Sequence, residues 1–221
     1  MPGFSAAVKM ASFKEIDTSR ELRQMQLMVS FIAAVFFMLI TPGPGVLTTA
    51  GIGSSFGYRP GLVFLIGLFI GTNLVALAVV SGLAAIVFSV PYIRNILLLA
   101  SAGYLLYLAF RIATAGSQIR FIESARPPGL IGGILLQTVN PKAYAVNTTL
   151  FTGFAFWPEN LMTETLIKFA IINAIWIPIH LLWLTAGVWL KRLDLPRRTQ
   201  FAINIFMALA MLAVVALAIL P

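Results

Sequence analysis

Five residues, Thr41-Pro42-Gly43-Pro44-Gly45, sit inside an apolar run that begins near Leu27 and carries no charge from Met28 to Ile40. Two prolines and two glycines interrupt any helix there. Each proline lacks an N–H and clashes with the preceding turn, and each glycine loosens the backbone. In lipid the freed carbonyls have no water to turn to. A broken helix at membrane depth is tolerated only where protein or a wet cavity surrounds it. The pentad therefore predicts a cavity beside it. On spacing alone, a simple end to the first span is an equal reading.

The membrane premise comes from composition. The 221 residues are 60% hydrophobic and 10% charged, where soluble domains carry roughly a quarter charged residues. Long uncharged runs mean helices; a barrel's strands would alternate over about ten residues. The net charge of +8 does not point to nucleic acid, because the basic residues flank apolar runs as orientation signals do. With no cysteine, disulfides, thiol relays and soft metal ligation are excluded.

Residues 1–26 are polar and mixed, with no signal-peptide pattern. They read as a mobile or weakly helical tail; Met25 and Met28 leave a later start open. One transmembrane domain, 27–221, follows. Six spans of about twenty residues or more are expected, at 27–49, 61–88, 92–114, 129–156, 162–190 and 200–220. The fourth is interrupted at Asn140-Pro141-Lys142. The loops after spans one, three and five hold Arg59, then Arg111, Arg120 and Arg126, then Lys191, Arg192, Arg197 and Arg198. The other side holds Lys9, Lys14, Arg20, Arg23, Arg94 and Lys168. The dense short clusters place the odd loops in the cytoplasm and both termini outside. Gly57/Gly61 and Gly67/Gly71 have the four-residue spacing that lets membrane helices approach closely.

Pro141 follows Pro42 by ninety-nine residues. Each lies near the middle of a span, and each is followed by two more spans. Three spans per half is odd, so the second half is inserted upside down. The expected architecture is all-α, two inverted three-helix repeats (27–114 and 129–221) with the first helix of each broken. Such paired interruptions mark a transporter's midplane site.

Lys142 is the sharpest chemical signal, a cation about thirteen residues into span four, or ~20 Å at 1.5 Å per residue. Intramembrane charges usually face a polar pathway; a stem snorkelling to the interface is the competing reading. Asn140 adds donors and an acceptor beside it, and together they suit a carboxylate. None of the seven acids, Glu15, Asp17, Glu21, Glu123, Glu159, Glu164 and Asp194, lies in the middle of a span. A cationic substrate would want one there. His180 is the intramembrane group that titrates near neutral pH. It could carry a coupling proton, or equally be hydrogen-bonded between helices. Asn73, Asn147 and Tyr144 are polar groups within spans that could contact substrate; interhelical bonding and packing are their commoner uses. An intramembrane serine hydrolase would need Ser81 beside His180, but no Gly-x-Ser-x-Gly surrounds that serine. No clustered ligands suggest a metal.

Several motifs resemble those of the LysE/RhtB translocators, bacterial amino-acid exporters. They are Pro42-Gly43-Pro44, the Gly57…Gly61…Gly67…Gly71 series, Ser81-Gly82-Leu83, the run Ala102-Gly103-Tyr104-Leu105-Leu106-Tyr107-Leu108, and Gly129 through Asn140-Pro141-Lys142-Ala143. The resemblance covers about 28–220. It implies six spans in two inverted halves and export of amino acids, driven by the proton gradient, across the bacterial inner membrane. Two departures stand out: the long tail, and Thr72-Asn73 where such proteins carry an acid after the second-span glycines.

The resulting expectation is a secondary exporter of small carboxylate-bearing solutes, with no cofactor and no metal. Its partners are the solute and the bilayer; a homodimer is compatible. The substrate site comprises Pro42, Gly43, Pro44, Asn73, Asn140, Pro141, Lys142, Tyr144 and Asn147, with His180 for proton coupling. A non-transporting scaffold is the alternative, favoured if no polar cavity lies between the two breaks; the intramembrane hydrolase is a further one.

Overall fold

A computed structural model describes residues 2–41, 43–90 and 126–193, with scattered positions between 92 and 110 and between 196 and 209; for 2–18, 87, 88 and 191 only the backbone is described. All regular structure among these residues is helical. Seven helices are seen: α1 (Pro2–Ile40), α2 (Pro44–Phe56), α3 (Tyr58–Val80), α4 (Leu83–Ser89), α5 (Leu130–Val139), α6 (Pro141–Thr152) and α7 (Leu161–Arg192). Among the described residues three stretches are long and apolar enough to cross a bilayer: Ser19–Ile40, Tyr58–Val80 and Leu161–Leu190. Most of the expected spans at 92–114 and 200–220 lies outside the described residues, as does Pro42.

The N-terminal backbone takes the helical of the two forms expected for the tail. It is helical from Pro2 and runs unbroken into the first span, since no glycine or proline intervenes between Gly3 and Thr41. The second span also divides. Helix α3 ends at Val80, and Gly82 turns the chain at φ 76° before α4. That left-handed value favours glycine, as does φ 90° at Gly57 between α2 and α3. Gly57 is therefore a turn residue rather than a packing one.

Helix α2 is buried from Pro44 to Ser54. Its small residues, Thr48, Thr49, Ala50, Gly51 and Gly53, keep it narrow enough to sit at the centre of the bundle. Helix α7 buries a strict four-residue stripe: Glu164, Lys168, Ile172, Trp176, His180, Leu184 and Val188. Two crossings depend on missing side chains. A Cβ on Gly133 of α5 would strike the Phe64 carbonyl of α3, and one on Gly67 would strike the Leu130 carbonyl. A Cβ on Gly187 of α7 would strike the Ala50 carbonyl of α2. Backbone-to-backbone approach is how membrane helices gain van der Waals energy without a hydrophobic drive. Tyr104 braces the first crossing, its hydroxyl donating to the Gly132 carbonyl at 2.8 Å.

Two apolar clusters result. One joins Val46, Ile52, Phe64, Leu68, Leu136, Trp176 and Leu184; the other joins Phe31, Val35, Leu150, Phe156 and Ile172. Leu39 packs against both. The two helix breaks lie where the clusters meet.

Candidate functional site

The second break is built by Asn140 and Pro141. Proline cannot continue α5, but its fixed φ suits the first position of a new helix. Asn140 adopts extended backbone (φ −76°, ψ 109°) and caps α6, its Oδ1 accepting from the Lys142 N–H at 3.1 Å. The Tyr144 hydroxyl donates to the Thr138 carbonyl at 2.9 Å, satisfying a group near the end of α5. The first break is simpler. Thr41 bends the chain, its hydroxyl donating to the Phe37 carbonyl at 2.6 Å. Gly43 is extended and Pro44 opens α2, whose first turn has no side-chain cap.

The two breaks meet. The Lys142 ammonium donates to the Thr41 carbonyl at 2.8 Å, a cation on the negative end of α1. Its stem lies across Gly43, where a Cβ would sit 2.9 Å from Cδ and 3.0 Å from Nζ. From the break a polar chain runs to α3. Asn140 Nδ2 donates to Gln137 Oε1 (3.1 Å), Gln137 Nε2 donates to Thr72 Oγ1 (2.9 Å), and Thr72 donates to the Leu68 carbonyl (2.9 Å). His180 stacks on Trp176 with ring centroids 3.7 Å apart. Its Nδ1 lies 2.9 Å from the Trp176 carbonyl. A carbonyl only accepts, so Nδ1 carries the hydrogen and Nε2 is the lone-pair nitrogen when the ring is neutral. A Cβ on Gly45 would lie 3.9 Å from that Nε2 and 3.8 Å from Gln137 Oε1.

These groups line one cavity, with about 50 Å³ open to water-sized spheres. Its polar lining residues are Thr41, Thr72, Gln137, Asn140, Lys142, Asn147 and His180; its apolar ones include Met38, Leu39, Val146, Leu150, Ile172 and Trp176. Among the described residues no carboxylate lines it.

Of the expected site residues, Gly43, Pro44, Asn140, Lys142, Asn147 and His180 line this cavity. Pro141 starts α6 beside it. Pro141 itself does not line it, and neither do two further residues. Tyr144 braces the break through Thr138, and Asn73 pairs with Asn173. Each of those two amides donates to the other's oxygen, at 3.1 and 3.0 Å, and also to the carbonyl four residues back, Phe69 or Phe169. Gln137 was not expected at all, although an amide three residues before Asn140 in an apolar helix is a readable signal. Ser81 sits at the exposed end of α3, donating to the Ala78 carbonyl.

Lys142 is not the sole cation inside the bundle. Lys168, counted above with the basic residues on the tail's side, is buried in α7 and paired with Glu164 at 2.7 Å. It also donates to the Phe151 and Phe154 carbonyls. Glu164 accepts from the Trp157 N–H. The pair is outside the cavity lining.

A family model described as LysE type translocator matches residues 36–220. The leucine efflux protein of Salmonella typhimurium strain LT2 is 29% identical over 130 residues, 57% of this chain and 61% of that protein. The leucine efflux protein of Enterobacter sp. strain 638 is 28% identical over 132 residues, 57% and 62% of the two chains. That of Klebsiella pneumoniae is 25% identical over 131 residues, with the same coverage. The matched stretch spans about three fifths of these relatives. No solved structure matches.

Proposed function

Because the chain belongs to the LysE type translocator family, we propose that it is a secondary transporter exporting neutral amino acids from the cytoplasm across the bacterial inner membrane. The observation that carries this reading is the meeting of two proline breaks at a cavity that holds a cation, has both polar and apolar lining residues, and is free of carboxylates among its described lining. A scaffold has no use for such a cavity.

A substrate carboxylate takes the place of the Thr41 carbonyl on the Lys142 ammonium and meets the uncapped first turn of α2. The substrate side chain lies against Leu150, Ile172 and Val146. The name leucine efflux protein fits that wall. A cavity of about 150 Å³ is what holds benzene, so the space at the breaks must widen to admit an amino acid. Parting Lys142 from Thr41 is the first step of that opening.

The halves suit alternating access as inverted repeats. The Asn73–Asn173 pair is reciprocal, as a two-fold axis between α3 and α7 requires, and its residue numbers differ by nearly the same interval as the two prolines. For coupling, the Nε2 of His180 is an acceptor beside Gly45 that can take a proton from the opened cavity.

The test is efflux of labelled leucine from proteoliposomes, with and without an imposed pH gradient. Lys142→Ala abolishes efflux, and His180→Gln leaves downhill efflux but removes its response to the gradient. Undiminished export by Lys142→Ala would rule out this site. An unchanged gradient response in His180→Gln would remove the histidine from coupling.

A further inference from the structure

Asn147 is 4% exposed, and its Oδ1 is a buried atom with no hydrogen-bond partner. The orientation of the amide is settled by its neighbour. Nδ2 donates to the Ala143 carbonyl at 2.8 Å, and a flipped amide would set two acceptors face to face. The oxygen is thus left on a residue that lines the cavity. The other amide oxygens there are taken: Gln137 Oε1 accepts from Asn140, and Asn140 Oδ1 accepts from the Lys142 N–H. A buried acceptor without a donor bears its full desolvation penalty until something donates to it.

The donor's chemistry follows from position. Asn147 lines the same cavity as Lys142, both from α6. A zwitterionic head group carries one group for each: a carboxylate for the lysine and an ammonium for the free amide oxygen. An ammonium is donor-only, and a neutral amide oxygen receives it without leaving a buried charge when the site is empty. We propose that Asn147 reads the substrate's α-ammonium through Oδ1, so that the site accepts α-amino acids and rejects carboxylates of the same shape that lack the amino group. This assignment rests on the export reading above.

The experiment measures binding in detergent by competition, pairing leucine with 4-methylpentanoate and phenylalanine with 3-phenylpropanoate. The parent should prefer each amino acid by about 10- to 100-fold, the value of one hydrogen bond to a charged group. Asn147→Leu should bring each ratio to within about threefold by weakening the amino acid alone. Asn147→Asp, which keeps the acceptor and repels a lone carboxylate, should hold or raise the ratio; it also serves if the leucine variant does not fold. A parent-like ratio in Asn147→Leu, or a lowered one in Asn147→Asp, overturns the assignment while efflux by the parent stands. A parent that neither binds nor exports an amino acid overturns the export reading and this assignment with it.

Discussion

Replacing Lys168 with methionine should destabilise the protein more than any change at its surface. The Lys168 ammonium is held by Glu164 and by the Phe151 and Phe154 carbonyls, and the residue is 2% exposed. The rings of Phe31 and Phe156 stand 5.9 and 5.6 Å from it. It therefore ties the segment after α6 to α7 and to α1. Methionine fills much the same volume but leaves Glu164 as a buried carboxylate without a cation, and two carbonyls without a donor. Breaking one side of a buried pair costs about 3–5 kcal/mol. At about 2–4 °C per kcal/mol for a chain of this size, the midpoint should fall by about 6–20 °C. The assay is thermal unfolding in a fixed detergent, followed by tryptophan fluorescence. The double variant Glu164→Phe/Lys168→Leu is the control. Those are the residues found one hundred positions earlier, Phe64 and Leu68, both fully buried. With no charge left to bury, it should recover most of the loss, since apolar replacement of a buried pair is often neutral or better. A methionine variant melting within about 2 °C of the parent, less than 1 kcal/mol on that scale, would refute the reasoning. So would a double variant less stable than either single one.

Three more outcomes are expected. Gly133→Ala should push α5 off the Phe64 carbonyl and cost about 1–3 kcal/mol, whereas Gly103→Ala, with no atom of the described residues within 4 Å of its Cβ, should change stability by under about 0.5 kcal/mol; equal melting points for the two would contradict the crossing. A double-mutant cycle of Asn73→Leu and Asn173→Leu should give a coupling of about 0.6–1.7 kcal/mol, and additive losses would mean the amides do not act as a pair. The three atoms nearest a Cβ on Gly43 all belong to the flexible end of Lys142, so Gly43→Ala should leave melting nearly unchanged while raising the KM for leucine several-fold; a parental KM would detach that stem from substrate binding.

The sequence alone determined the breaks. A proline has no N–H to continue a helix whatever surrounds it, so Pro44 and Pro141 required new helices; the polar space beside them, as against a plain end to the first span, was decided by packing. Lys142 as an internal cation was readable for the same local reason, whereas the capping role of Asn140 came from the structure. The partners were not. Whether Asn73 faced the cavity or Asn173 depended on the rotation of α3 against α7. Lys168 counted only as an orientation charge near the start of a span, because its acid, four residues earlier, stabilises it only once both are buried beside Phe31 and Phe156. Gln137 reached Thr72 only because Gly133 and Gly67 let two backbones touch. Chain interruptions are governed by bonds within a few residues, which sequence displays directly. Side-chain pairings between helices are governed by crossing and rotation, quantities that exist only after the helices have packed.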